Sequence, residues 1–123
     1  MNILILEDDI NRIKKFREKL QYGCDVLLIF DNVDKCIDAL KNREWDYLFL
    51  DHDLGGKVYV ESDGEEQTGW HVAKWLSENK DRMPERIIVH SLNEFGRKNI
   101  ISLLPNAMEL PFAWEKVKIE DRK

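Results

Sequence analysis

The sequence is short of several things, and each shortage excludes something. Lysine and arginine number 19 against 24 aspartates and glutamates, for a formal charge of -5. Without a basic surplus the chain does not suit duplex or non-specific nucleic-acid binding, which depends on neutralising phosphates. A local site for a small phosphorylated ligand stays open. Cysteine is limited to Cys24 and Cys36, in neither CxxC nor metal-ligand spacing. That usage predicts reduced cysteines packed in a cytoplasmic protein rather than a disulfide framework. No apolar stretch approaches the roughly 20 residues needed to span a bilayer. The first apolar run begins at Ile3 with no basic segment ahead of it, which argues against a secretory leader. The expected setting is therefore cytoplasmic, with no membrane partner. Linkers, repeats and low-complexity tracts are also missing, so residues 1–123 are expected to form one domain with its own core.

What the sequence does have is short apolar runs at regular spacing. They are "NILIL" at 2–6, "DVLLIF" at 25–30, "DYLFL" at 46–50, "RIIVH" at 86–90 and "NAMEL" at 106–110. The first four are nearly continuous rather than alternating, as expected of strands buried on both faces of a parallel sheet. Between the runs the apolar residues take a helical period. Ile10, Ile13, Phe16 and Leu20 share one face, and Val33, Cys36, Ile37 and Leu40 share another, with Asn32 placed as a cap. Thr68 is placed to cap a third helix with Val72, Ala73 and Leu76 inward, and Pro84 closes that segment. Asn93 is placed to cap a fourth with Ile100, Ile101 and Leu104 inward. The stretch from Pro111 to Lys123 reads as a short last helix. Strand and helix thus alternate five times, which predicts a three-layer α/β fold with helices on both faces.

One connection breaks the rhythm. Residues 52–67, "HDLGGKVYVESDGEEQ", form a long polar link after the third strand, where about 2–6 residues is usual. In an open α/β sheet, ligands bind outside the carboxyl ends of the strands, so what each strand delivers there matters. The first delivers Glu7, Asp8 and Asp9. The third delivers Asp51, His52 and Asp53. The fourth delivers His90, Ser91 and then Asn93, and the fifth delivers Glu109 and Pro111. Asp9 serves equally well as a helix cap. Carboxylates gathered from neighbouring strands repel one another, and a hard divalent cation relieves that repulsion. Glu7, Asp8 and Asp51 are therefore the expected metal ligands. Two imidazoles, His52 and His90, suit general-acid and general-base work at neutral pH, although either alone also suits a structural hydrogen bond. Ser91 and Asn93 are placed to bind phosphate oxygens, or else to tie a loop and cap a helix. His71 reads as a surface residue or one that supports the site from behind, and Trp70, Trp75 and Trp114 as packing.

The segments "ILILEDD", "YLFLDHDL" and a serine ending the fourth strand resemble the receiver domain of bacterial response regulators, over nearly the whole chain. The resemblance implies a flavodoxin-like (βα)5 fold with sheet order 2-1-3-4-5. It implies that Glu7 and Asp8 are the metal-binding acidic pair, Asp51 the phosphoacceptor and Ser91 the hydroxyl that contacts the phosphoryl group. One departure stands out: receivers carry a lysine before the Pro-Phe after strand five, and this chain has Leu110 in "ELPF". The pieces "DHDLGG", "TGWHVAKWL" and "VHSLNEFG" are more similar to one branch of that fold, the cyclic-phosphate processing receiver domains, which share the HD pair and the HSxN motif.

The expectation is a metal-dependent domain acting on a cyclic nucleotide or a 2′,3′-cyclic phosphate end. Mg²⁺ or Mn²⁺ would sit at Glu7, Asp8 and Asp51. His52, His90 and Asp51 would carry the chemistry, and Ser91 and Asn93 would hold phosphate. Two other readings stand beside it: a signalling receiver phosphorylated on Asp51, and a sensor that binds a cyclic phosphate without cleaving it.

Overall fold

A computed structural model gives the fold. It describes residues 1–54 and 67–111, so the expected C-terminal helix, Trp114 and most of the long link lie outside the described residues. Five strands, β1 (Asn2–Leu6), β2 (Val26–Phe30), β3 (Tyr47–Leu50), β4 (Arg86–Val89) and β5 (Met108–Glu109), alternate with helices α1 (Ile10–Leu20), α2 (Val33–Asn42), α3 (Gly69–Glu78) and α4 (Glu94–Leu103). The sheet order is β2-β1-β3-β4-β5 and every pairing is parallel, as the sequence predicts. No helix of the described residues is long and apolar enough to cross a membrane.

Side chains alternate across the sheet, so each strand feeds two cores. Ile3, Ile5, Tyr47, Phe49 and Ile88 pack with Phe16 and Leu20 of α1 on one face. Leu4, Leu6, Leu48, Leu50, Ile87 and Val89 pack with α2, α3 and α4 on the other. A fully buried Leu, Ile or Phe contributes roughly 1.5–3 kcal/mol, against about 1 for a helix cap. Packing therefore holds the layers together, while the caps fix where each helix starts. Asp9 accepts from the Arg12 amide at 2.9 Å, Asn32 from the Lys35 amide at 3.1 Å and Asn93 from the Gly96 amide at 2.9 Å. Thr68 closes a capping box with an unusual partner, since its own amide donates to Nδ1 of His71 at 2.9 Å. His71 thus has a local structural task.

Three expectations shift. β2 is an edge strand and only half-buried, with Leu28 38% exposed, because among the described residues no strand pairs beyond it. Ile10 is 79% exposed, since the first residue of α1 stands beyond the end of the sheet it was expected to cover. The fifth strand shortens to Met108–Glu109. Trp45, uninformative as sequence, is buried and donates its indole N–H to the Ala39 carbonyl at 2.9 Å, tying α2 to the start of β3.

Candidate functional site

Strand register builds the site. Ile5 pairs with Phe49, and Phe49 with Ile88, on the α1 face. Two residues further along each chain come Glu7, Asp51 and His90, which the alternation returns to that same face. The ladder runs on beyond the strands to hold them: the Glu7 amide donates to Phe30 at 2.9 Å, and the amides of Asp51 and His90 donate to Leu6 and Leu50 at 3.0 Å. Ligand atoms of Glu7, Asp51 and His90 all lie within 4.8 Å of one another, and all three residues are buried.

Two carboxylates that close cannot both hold a charge unaided. Sequence reasoning missed the group that helps them. Arg12, in the first turn of α1, donates from Nε to Glu7 Oε1 at 2.7 Å and from Nη2 to Glu7 Oε2 at 3.1 Å; Nη2 also lies 3.4 Å from Asp51 Oδ2. Burial alone would raise the Glu7 pKa, but the bonds from His90 and Arg12 outweigh it and hold this carboxyl well below the usual range. Asp51 goes the other way. Burial, the charge on Glu7 and a bond to Glu7 push it up to about 8, against the pull of Arg12 and the Ser91 hydroxyl. At neutral pH, without further cations, the pair holds one proton, carried on Asp51.

His90 is sealed beneath Glu7. Its ring meets Phe16 edge-on at 5.0 Å and Phe49 at 6.5 Å, and Nε2 lies 2.9 Å from Glu7 Oε1. Burial lowers its pKa against the pull of Glu7, and beside an ionised Glu7, which can only accept, Nε2 is the donor of the 2.9 Å bond. Nδ1 has no hydrogen-bond partner among the described residues. Burying a bare acceptor costs about 1–3 kcal/mol, the penalty for keeping this ring in an aromatic slot.

His52 is elsewhere. Being next to Asp51, it turns to the opposite face, under α4. The ring lies so close to Gly96 that a Cβ there would stand 2.4 Å from it. Nδ1 of His52 lies 2.8 Å from Asp53 Oδ1, and the Asn93 amide donates to the same Asp53 oxygen at 3.1 Å. His52, Asp53 and Asn93 are all buried. The two imidazoles expected to share one mouth are thus on opposite faces of the sheet, each tied to its own carboxylate.

The other expected residues fall between these clusters. Asp8 is half-buried and is not among the three residues whose ligand atoms converge. Its amide, with that of Asp9, donates to Glu7 Oε2 at 3.0 Å. Ser91 is buried, and its hydroxyl accepts from the Asn93 amide at 3.1 Å. Asn93 caps α4 and bridges to Asp53 at once. Glu109 is drawn away by Arg97 at 3.2 Å and Lys98 at 2.8 Å. Leu110 packs against the α1-face core. The cation beside Asp51 therefore comes from Arg12 on α1.

The chain matches the family model of the cyclic-phosphate processing receiver domain over residues 3–106. It belongs to that family. No curated protein sequence matches it significantly. Among solved structures it is similar to the RcsB response regulator of Salmonella typhimurium, with a TM-score of 0.66 and 18% identity over 94% of this chain and 54% of that one. It thus spans about half of the RcsB chain. It is also similar to the BeF3-activated DrrB receiver domain (TM-score 0.64, 18% identity, 93% of this chain and 87% of that one). A third similar structure is the response regulatory domain of MrkE from Klebsiella pneumoniae (TM-score 0.61, 14% identity, 95% and 100%). At such identities the likeness speaks for a receiver fold, which this cyclic-phosphate processing receiver shares.

Proposed function

We propose that this receiver domain binds a cyclic phosphate at the carboxyl edge of β1, β3 and β4 and opens it by metal-assisted hydrolysis. The observation that carries the reading is the convergence of Glu7, Asp51 and His90 within 4.8 Å at three adjacent strand ends, in a chain of this family. The carboxylates of Glu7 and Asp51 are hard oxygen donors that fit Mg²⁺ or Mn²⁺, with Asp8 following Glu7 at the end of β1. His90 Nε2 and the Asp8 amide hold Glu7 in place. When bound, such an ion neutralises the phosphate and stabilises charge at phosphorus.

The chain's own residues divide the remaining work. Opening the ring adds water to phosphorus, breaks one ester bond and delivers a proton to the leaving oxygen, giving a phosphomonoester. Ser91 lies next to Asp51 and suits a phosphate oxygen. His52, oriented by Asp53 through Nδ1, suits proton transfer through Nε2 once the start of α4 moves off its buried ring. His90, sealed between Phe16 and Phe49, serves by holding Glu7 rather than by meeting substrate. Asn93 acts on His52 through Asp53, which is a positioning role.

The test is a screen of cyclic mononucleotides and 2′,3′-cyclic RNA ends with Mg²⁺ and Mn²⁺, followed by phosphorus NMR. A new monoester signal that needs both metal and His52 is the expected result. Ligand binding without turnover would make the domain a sensor. Asp51, at the phosphoacceptor position of the receiver fold, supports signalling as a second reading. Labelling by acetyl phosphate with no cyclic-phosphate turnover would decide for it.

A further inference from the structure

Glu7 has no room for another partner. Oε1 accepts from Arg12 Nε at 2.7 Å and His90 Nε2 at 2.9 Å. Oε2 accepts from the amides of Asp8 and Asp9 at 3.0 Å and from Arg12 Nη2 at 3.1 Å. A carboxylate offers about four lone-pair sites, and this one already meets five donors besides the proton carried on Asp51, so displacing that proton does not by itself open a place. A divalent ion reaching Glu7 must therefore evict one of them. The two amides are fixed by the end of β1 and the start of α1. His90 is wedged between Phe16 and Phe49. Arg12 alone is a flexible side chain with an outlet, 27% exposed where Glu7 is 0% and Asp51 2%. It is also the partner whose charge duplicates that of the ion, since its guanidinium reaches both carboxylates that would hold the ion.

We propose that Arg12 is an internal cation that excludes the divalent ion from Glu7 and Asp51, so that metal loads only when the Arg12 side chain swings out. The inference rests on the metal reading above and adds the residue that sets metal affinity. Exchange also changes the charge facing the ligand. In the closed arrangement the guanidinium is spent on the acids. In the loaded one the ion takes over that task, and a free guanidinium stands beside the mouth, where an anionic phosphate arrives.

Two measurements test this. On the wild-type protein, the Arg12 Nε–H should be protected from solvent exchange by its bond to Glu7 and should lose that protection as Mg²⁺ saturates the site. In parallel, Mn²⁺ titrations followed by electron paramagnetic resonance should show Arg12→Gln binding about tenfold more tightly than wild type. That factor corresponds to a side chain that is out in roughly one molecule in ten. Arg12→Lys, which keeps the charge but not the two-carboxylate reach, should fall between them, and it serves if the glutamine variant does not fold. A protected Arg12 Nε–H in Mg²⁺-saturated protein overturns the exclusion, as does equal Mn²⁺ affinity in wild type and variants. If neither wild type nor variants bind Mn²⁺ at millimolar concentration, the metal reading itself fails, and the exclusion with it.

Discussion

The two faces of one strand end solve the same problem differently. On the α1 face, Glu7 and Asp51 gather beneath a guanidinium, and His90 supports Glu7 from below. On the α4 face, Asp53 accepts from the side-chain amide of Asn93 and lies against Nδ1 of His52. The first cluster has two acids and needs a positive charge to exist. The second has one acid, tied to an imidazole and an amide. The paired acids mark the α1 face as the one suited to a cation, and the α4 face holds an imidazole in a fixed orientation.

The sharpest way to break this comparison is to remove the positive charge. Arg12→Ala leaves Glu7 ionised and buried with its strongest partner gone. Stripping one member of a buried pair costs about 3–5 kcal/mol, so a loss near the low end is expected for this part-exposed arginine, read as a shift in urea midpoint at pH 7. Millimolar Mn²⁺ should restore part of it, and a stability unmoved by the substitution would show that the acids do not depend on Arg12.

Next comes pH. The folded-state pKa of Asp51 is raised to about 8 from an ordinary 3.8. Its contribution is complete below pH 4 and is lost as pH rises towards 8, because over that window the unfolded chain releases a proton that the folded one keeps. The slope is at most about 1.4 kcal/mol per pH unit. Glu7, with its pKa depressed, acts in the opposite sense and lower, losing stability only as pH falls below its ordinary 4.5. Asp51→Asn should accordingly flatten the decline between pH 5 and 8. An unchanged slope would locate the titrating group elsewhere.

Crowding separates the faces further. Gly96→Ala places a Cβ 2.4 Å from the His52 ring and should cost about 1–3 kcal/mol through overpacking. In the His52→Ala background the same change should cost much less, and that non-additivity is what thermal melts would read. The smallest effect belongs to Asn93→Ala, about 1 kcal/mol for a lost cap. It should also lower turnover through His52 without changing Mn²⁺ affinity. A change in metal affinity would mean that the α4 face also shapes the metal site.

The architecture was largely legible because apolar runs and caps report local geometry. Asp9, Asn32, Thr68 and Asn93 all mark helix starts, and Glu7, Asp51 and His90 were visible as strand-end residues. The division of the histidines was latent too: residues 51 and 52 are neighbours on an extended chain, so they must point apart. Arg12 was hidden because a basic residue early in an amphipathic helix looks like solvated surface. Only the return of α1 over β1 brings it back to residue 7. The half-exposure of β2 was hidden as well, since a run of Val, Leu and Ile does not reveal whether a strand lies at an edge.

Gly96 carries a consequence for how this chain can change over evolutionary time. The start of α4 rests directly on the His52 ring, with space for a hydrogen and nothing larger. The two positions therefore share one volume, and neither can drift alone. A descendant that gains a side chain at 96 must shrink residue 52 or move its helix, and one that gives up the imidazole is released to fill 96. Glycine at 96 beside histidine at 52 should travel through lineages as a linked pair, and a substituted residue at 96 should mark a domain that has lost its second imidazole.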